Sequence, residues 1–257
     1  MNHEKNGEIT ITLTVRENQL IVFSVVGRYC IDWGDDRTNE ENSRVTDADN
    51  NVQTDTFTCQ HEYKIAGSYT IHLVGEINEF VIKHIPLEYI FFKNCTCLDS
   101  IHVVDCGLQK LDIVNARNLV FLNCPCNNLK RLKLTSKSLI VLNCVCNNLT
   151  NLDLKSCNNL YRLECSCNNL ICISLNSPKF RNFDCCCNNL SAEELEKLFI
   201  EITKYGNVGE INYAINPGTA NANPRALNHW EINNKSTERI VKRVLEEKNS
   251  SLFNQMF

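Results

Sequence analysis

Sixteen cysteines have the widest chemical choice of any residues in this chain. A thiol can bridge, ligate a soft metal, act as a nucleophile or fill a core as a small apolar group. Spacing selects among these roles. Cys124, Cys144, Cys165 and Cys185 fall 20, 21 and 20 residues apart, and Cys126, Cys146, Cys167 and Cys187 repeat those intervals two residues on. C-x-C pairs at such intervals make a ladder, whereas a tetrahedral metal site needs C-x-x-C pairs that converge, so no metal and no cofactor is expected. Strands about 4.8 Å apart would permit a disulfide by Cα separation alone. In-register side chains point the same way, however, so reduced thiols packed as small hydrophobes are expected.

Other residue types narrow the chemistry further. Cys106 and His102 invite a thiol–base pair, but Cys106 takes a turn position and His102 points outward. Asp47, Asp49 and Asn51 are spaced like the start of a calcium loop, yet Val52 stands where glycine is required and Thr58 where glutamate is expected. The chain has no phosphate loop, no H-E-x-x-H and no G-x-S-x-G, so it reads as a non-enzyme. A net charge of −4 argues against a nucleic-acid partner. No apolar run reaches the roughly 18 residues of a membrane span, and residues 1–10 lack a signal core. The chain as it stands reads as soluble and cytoplasmic; a processed or trimmed fragment would place it at a cell surface or outside the cell.

A repeat positions these residues. Leu119, Leu122, Cys124, Asn127 and Leu129 recur as Leu139, Leu142, Cys144, Asn147 and Leu149, then as Leu160, Leu163, Cys165, Asn168 and Leu170, then as Phe180, Phe183, Cys185, Asn188 and Leu190. An earlier copy, Leu98, Ile101, Val103, Cys106 and Leu108, places Cys106 where the others have Asn. The L-x-x-L-x-C-x-x-N-x-L pattern belongs to the leucine-rich class and predicts a solenoid over residues 83–190, because one coil cannot bury its apolar edge alone. The Asn leaves the strand, where its amide can satisfy backbone groups of the turn. A second L-x-x-L-x-L half, seen in Leu129, Leu132 and Leu134 or Leu149, Leu152 and Leu154, predicts extended backbone on both sides. The expected fold is mainly β with some α.

The third and fifth positions of L-x-x-L-x-C project away from the core. They form two columns on a concave strand face: Ser100, Phe121, Val141, Arg162 and Asn182; and His102, Asn123, Asn143, Glu164 and Asp184. An apolar centre at Phe121 and Val141 beside charged neighbours suits a protein or glycan ligand. The alternative is a structural spacer or display scaffold with no ligand of its own. A monomer is expected in either case.

Residues 7–82 follow another grammar. Ile9, Ile11 and Leu13 alternate with Thr, residues 20–26 are an apolar run, and Tyr69, Ile71 and Leu73 alternate again, which are strand signals. Between them stand Ile31-Asp32-Trp33-Gly34-Asp35, His61-Glu62-Tyr63 and Gly67-Ser68-Tyr69. The W-G-D turn and the H-x-Y-x-x-x-G-x-Y stretch resemble the PKD-type β-sandwich, an Ig-like fold, which implies a spacer or adhesion module. Trp33 is expected in its core, with Asp32 and Asp35 organising a turn. A W-G-D sandwich running into these coils resembles the leucine-rich repeat surface proteins of Bacteroidetes-type bacteria. The resemblance implies an N-terminal cap followed by an adhesive surface. Cys at the eighth position departs from that family's Asn.

Residues 191–257 read as an α/β cap. Ser191-Ala192-Glu193-Glu194 is a capping box, followed by Leu195, Leu198, Phe199 and Ile202 on one helical face that should cover the Phe180, Phe183 and Cys185 coil. Gly206 ends that helix. Glu210 to Asn216 reads as a last strand, Pro224 to Trp230 as a short helix, and Ser236 as the start of a final helix.

Overall fold

The computed structural model describes residues 7–35 and 57–233. The calcium-like spacing at 47–51 and the helix expected from Ser236 lie outside the described residues. The fold is mainly β, with one α-helix among the described residues.

Strands β1 (Gly7–Val15), β2 (Gln19–Asp32), β3 (Phe57–Tyr63) and β4 (Gly67–Lys83) pair antiparallel. Period-two patterning decides their faces. Ile9, Ile11, Leu13, Ile21, Phe23 and Val25 are buried, whereas Leu20 and Val22, inside the apolar run, face outward. Trp33 is buried and stacks on His61 at 4.8 Å, and Tyr63 Oη donates to Trp33 O at 2.7 Å. Asp32 Oδ1 accepts from Gly34 N at 2.9 Å, and Asp35 Oδ2 meets His61 Nε2 at 2.8 Å, so both aspartates organise the turn as expected. A bulge between Val26 and Gly27 brings β2 against β4. Gly27 has φ 141°, and a Cβ there would lie 2.2 Å from Glu76 O, so glycine is required.

Parallel strands follow, one or two per repeat: β5 (Tyr89–Lys93), β6 (Ser100–Val104), β7 (Asp112–Val114), β8 (Phe121–Asn123), β9 (Val141–Asn143), β10 (Asn151–Leu154), β11 (Arg162–Glu164), β12 (Cys172–Leu175) and β13 (Asn182–Asp184). Helix α1 (Ala192–Thr203) and strands β14 (Gly209–Asn212) and β15 (Trp230–Ile232) complete the chain, with a 3-10 turn at Pro224–Leu227 before β15. One mixed sheet runs β15-β14-β13-β11-β9-β8-β6-β4-β1-β5-β7. Its fulcrum is the β4–β1 pair. β4 pairs parallel with β6, and β1 pairs antiparallel with β5, so the N-terminal strands continue the first repeat on both of its sides. Residues 7–82 and the repeats therefore share one sheet, and their buried side chains form one core from Ile9 to Trp230.

The ninth-position asparagines tie repeat to repeat at their turns. Asn168 Nδ2 donates to Cys144 O of the preceding repeat at 3.0 Å and to its own Cys165 O and Ser166 O, while its Oδ1 accepts from Leu149 N at 3.0 Å. Asn127, Asn147 and Asn188 make the corresponding bonds. Asn216 continues the series, donating to Cys185 O and accepting from Leu190 N. All five are buried. Serines at the opposite turns do similar work: Ser136 Oγ donates to Leu119 O at 2.8 Å and Ser177 Oγ to Leu160 O at 2.7 Å.

Three expectations need correction. The second half of the repeat is not a continuous ladder: Leu132 and Leu134 are buried but lie outside any strand, leaving β10–β12 as a separate two-stranded sheet. There Ser156 Oγ, not a strand N–H, bonds Leu134 O. The strand expected over Glu210 to Asn216 stops at Asn212, because Ile215 takes φ 54° to place Asn216 on its rung. Trp230 starts a strand and not the end of a helix; its buried ring faces Phe180 and its Nε1 donates to Asn207 O at 2.9 Å. Helix α1 forms as expected, with Ser191 accepting from Glu194 N and Leu195, Leu198, Phe199 and Ile202 buried. It packs beside β12 and places Phe199 against Tyr213 at 5.0 Å, while β14 and β15 extend the strand side beyond Phe183.

Asn168→Ala is expected to destabilise the protein by about 3 kcal/mol, because it strands buried carbonyls and an N–H in two repeats. Asn169→Ala, one residue on and exposed, should stay within about 0.5 kcal/mol. Chemical denaturation compares them. Phe199→Asp should cost about 3 kcal/mol or more by placing a charge in the core beside Tyr213, read as a lower denaturation midpoint.

Candidate ligand-binding face

Parallel in-register pairing turns sequence positions into columns. Ser100, Phe121, Val141, Arg162 and Asn182 are direct ladder partners, as are His102, Asn123, Asn143, Glu164 and Asp184. The structure extends both columns with residues that the repeat pattern did not identify. Glu79 and Val81 of β4 pair with Ser100 and His102, and Glu210 and Asn212 of β14 pair with Asn182 and Asp184. The signal for Glu79 and Val81 was weak, since they precede the first recognisable repeat.

The first column is the more accessible. Phe121 and Val141 are half-buried and Arg162 is exposed. The Phe121 ring stacks on His102 at 5.0 Å, making a two-ring platform across neighbouring strands. Asn123 Nδ2 lies 3.3 Å from His102 Nδ1 and donates to it, leaving Nε2 to carry the proton toward Ser100 Oγ at 3.1 Å and Glu79 Oε1 at 3.7 Å. Burial holds the His102 imidazole below its ordinary range, against the pull of Glu79. Arg162 pairs with Glu164 on its own strand.

The second column is committed to turns at several rungs. Asn143 is buried, and its Oδ1 accepts from Val145 N at 3.1 Å. Asp184 Oδ1 accepts from Cys186 N at 3.1 Å, and Asn212 Oδ1 from Ala214 N at 3.2 Å. Each is an Asx turn, in which a short polar side chain binds its own backbone two residues on. Asn143 and Asp184 thus hold the chain's exit from the strand, while His102 and Asn123 present polar groups beside Phe121 and Glu164 does so two strands away. The recurring Asn or Asp at this position was the available signal. Burial, together with the Glu164 charge one rung away, pushes the Asp184 carboxyl up from its ordinary value.

A second concavity of about 580 Å³ lies between β12 and α1, lined by Cys172, Ser174, Lys197, Ile200 and Lys204 among others. Among the described residues no helix is long and apolar enough to cross a membrane. Comparison with protein-family models, curated proteins and solved structures gives no match to this chain.

A carboxyl whose folded pKa is raised adds stability that is fully present below its unfolded pKa and is lost as pH rises through the folded value. Asp184→Asn keeps the turn acceptor, as Asn143 and Asn212 do, and removes the charge. The variant is expected to be more stable than the parent at neutral pH. The difference should vanish below about pH 3, where both side chains are neutral, as denaturation at the two pH values would reveal.

Proposed function

We propose that this chain is a non-catalytic recognition or adhesion protein that binds a protein or glycan ligand on the strand face centred on Phe121. The observation that carries the proposal is the outward apolar pair Phe121 and Val141, widened by the His102 ring and bordered by Arg162, Glu164 and Asn123. An aromatic platform ringed by hydrogen-bonding groups binds through area at its centre and orientation at its rim. A catalytic role for Ser100 and His102 is less well supported, because the imidazole nitrogen facing Ser100 carries the proton, and the far nitrogen meets an amide where a relay would place a carboxylate.

In this reading the stacked repeats are a leucine-rich solenoid, residues 7–82 a PKD-like module that closes its first coil, and residues 191–257 the opposite cap. The chain acts as a monomer without metal or cofactor. Its resemblance to Bacteroidetes-type repeat proteins favours display at a cell surface.

The test is a double substitution. Phe121→Ala with Arg162→Ala is expected to lower the melting temperature only modestly, through the lost stack on His102, and to weaken binding by about 2 kcal/mol or more, measured against glycan arrays and surface-protein panels with the parent protein as reference. Lys133→Ala and Asp153→Ala, on the other half of the repeat, should bind normally. Undiminished binding by the double variant would overturn the assignment of this face, and a parent protein that binds no member of either panel would favour the spacer reading.

A further inference from the structure

The two cysteine columns occupy different chemical environments. Cys124, Cys144, Cys165 and Cys185 are fully buried along the strand axis, and burial pushes the Cys124 thiol up to about 12. Cys126, Cys146, Cys167 and Cys187 lie off the strands, at φ 53° to 55°. That left-handed conformation favours Gly, Asn or Asp and is uncommon for Cys. Other rungs of the same column carry His84 at φ 57°, Asp105 at 52° and Ile215 at 54°. Each of these residues from His84 to Cys187 donates its N–H to the next rung, from His84 N to Val104 O through Cys187 N to Ala214 O.

The shared φ keeps the four Cα–Cβ bonds parallel, as expected of an in-register column, and sets the thiols one above another. Side chains leaving a left-handed turn meet those of the neighbouring rungs. His84 Nδ1 contacts Asp105 Oδ2 at 3.1 Å. The Cys146 thiol neighbours both Cys126 and Cys167, and Cys187 neighbours Cys167; these contacts together with burial push the Cys146 and Cys187 thiols up. Cys146, Cys167 and Cys187 are half-exposed. Among the described residues no three ligating side chains converge on one point, so the column is a line of neighbouring pairs and not a cage. All sixteen cysteines are thiols.

We propose that this column is an oxidative modification site, at which a disulfide-class oxidant converts Cys126 with Cys146, and Cys167 with Cys187, into two disulfides that staple adjacent repeats. Ladder spacing of about 4.8 Å falls within the Cα separation that a disulfide accepts. In each pair one thiol loses its proton and attacks the oxidant's sulfur, forming a mixed disulfide and releasing one small thiol. The neighbouring thiol then attacks the protein sulfur of that mixed disulfide; the inter-repeat S–S bond forms and a second small thiol leaves. Two protein thiols are oxidised and one oxidant disulfide is reduced to two thiols. End pairing consumes all four cysteines, whereas a central Cys146–Cys167 bridge would leave both ends isolated.

The folded, reduced full chain is incubated with oxidised glutathione, then denatured and alkylated. The alkylation count is expected to fall from sixteen to 16 − 4 = 12, with peptide mapping locating 126–146 and 167–187. Intact mass before alkylation should fall by ~4 Da, one hydrogen per sulfur bridged. The denaturation midpoint should rise on oxidation and return with a dithiol reductant. Cys146→Ser should retain only the 167–187 bridge. Sixteen alkylated thiols, glutathione adducts without bridges, or bridges that recruit Cys124, Cys144, Cys165, Cys185 or Cys186 would each overturn the proposal, and the mapping on the parent chain stands whether or not the variant folds.

Discussion

The buried asparagine at each turn is the interaction on which the stack depends. A repeat of about twenty residues ends its strand in a turn whose carbonyls and N–H groups find no strand partner, and water is excluded from them. One amide side chain supplies two donors and an acceptor, so Asn147 or Asn168 closes its own turn and the preceding one together. The leucine and cysteine columns supply the apolar burial; the amides fix which rung lies against which. Each repeat therefore depends on the next, and both ends of the stack require closure. The β4–β1 pair closes one end by extending both sides of the first repeat, and α1, β14 and β15 share the task at the other.

That constraint also divides the exposed face. A chain that must leave each strand sharply uses the fifth position to do so, and Asn143, Asp184 and Asn212 spend their side-chain oxygens on their own backbones. Substituents there are held by the fold. The third position carries no such duty, which is why Phe121, Val141 and Arg162 can differ in chemistry from rung to rung while the backbone repeats. Chemical variety on such a surface is concentrated where the scaffold asks least of the side chain.

The regular parts of this arrangement were legible because period is a strong signal. Repeats at 20 and 21 residues named the inward Leu and Cys positions and the turn Asn, and Ser191 with Glu194 named the start of α1. What escaped were the places where one residue serves two contexts. β4 is a single strand that pairs antiparallel with β1 and parallel with β6, and no local pattern announces that change of partner. The rung that ends in Asn216 was hidden because α1 is inserted before it, stretching the interval from Asn188 to 216 − 188 = 28 residues. The break at Leu132 and Leu134 was invisible for the opposite reason: their apolar spacing is intact, and only the hydrogen-bonding partner of Leu134 differs.

The cysteines show how far position outweighs residue type. Two columns written in the same letter, two residues apart, reach different environments because one lies directly after each strand on the core side and the other in the left-handed turn that follows. At the first position, period-two geometry sends the thiol into the core, out of reach of a dissolved oxidant; burial raises the thiol in both columns, Cys124 and Cys187 alike, so access and not acidity separates them. At the turn, the same stacking that buries the first column sets each thiol of the second beside the next. Asparagine at those positions would meet the backbone requirement with less strain. Four cysteines in its place trade conformational ease for contact between thiols, and that contact is a property of the assembled stack, absent from any repeat taken alone.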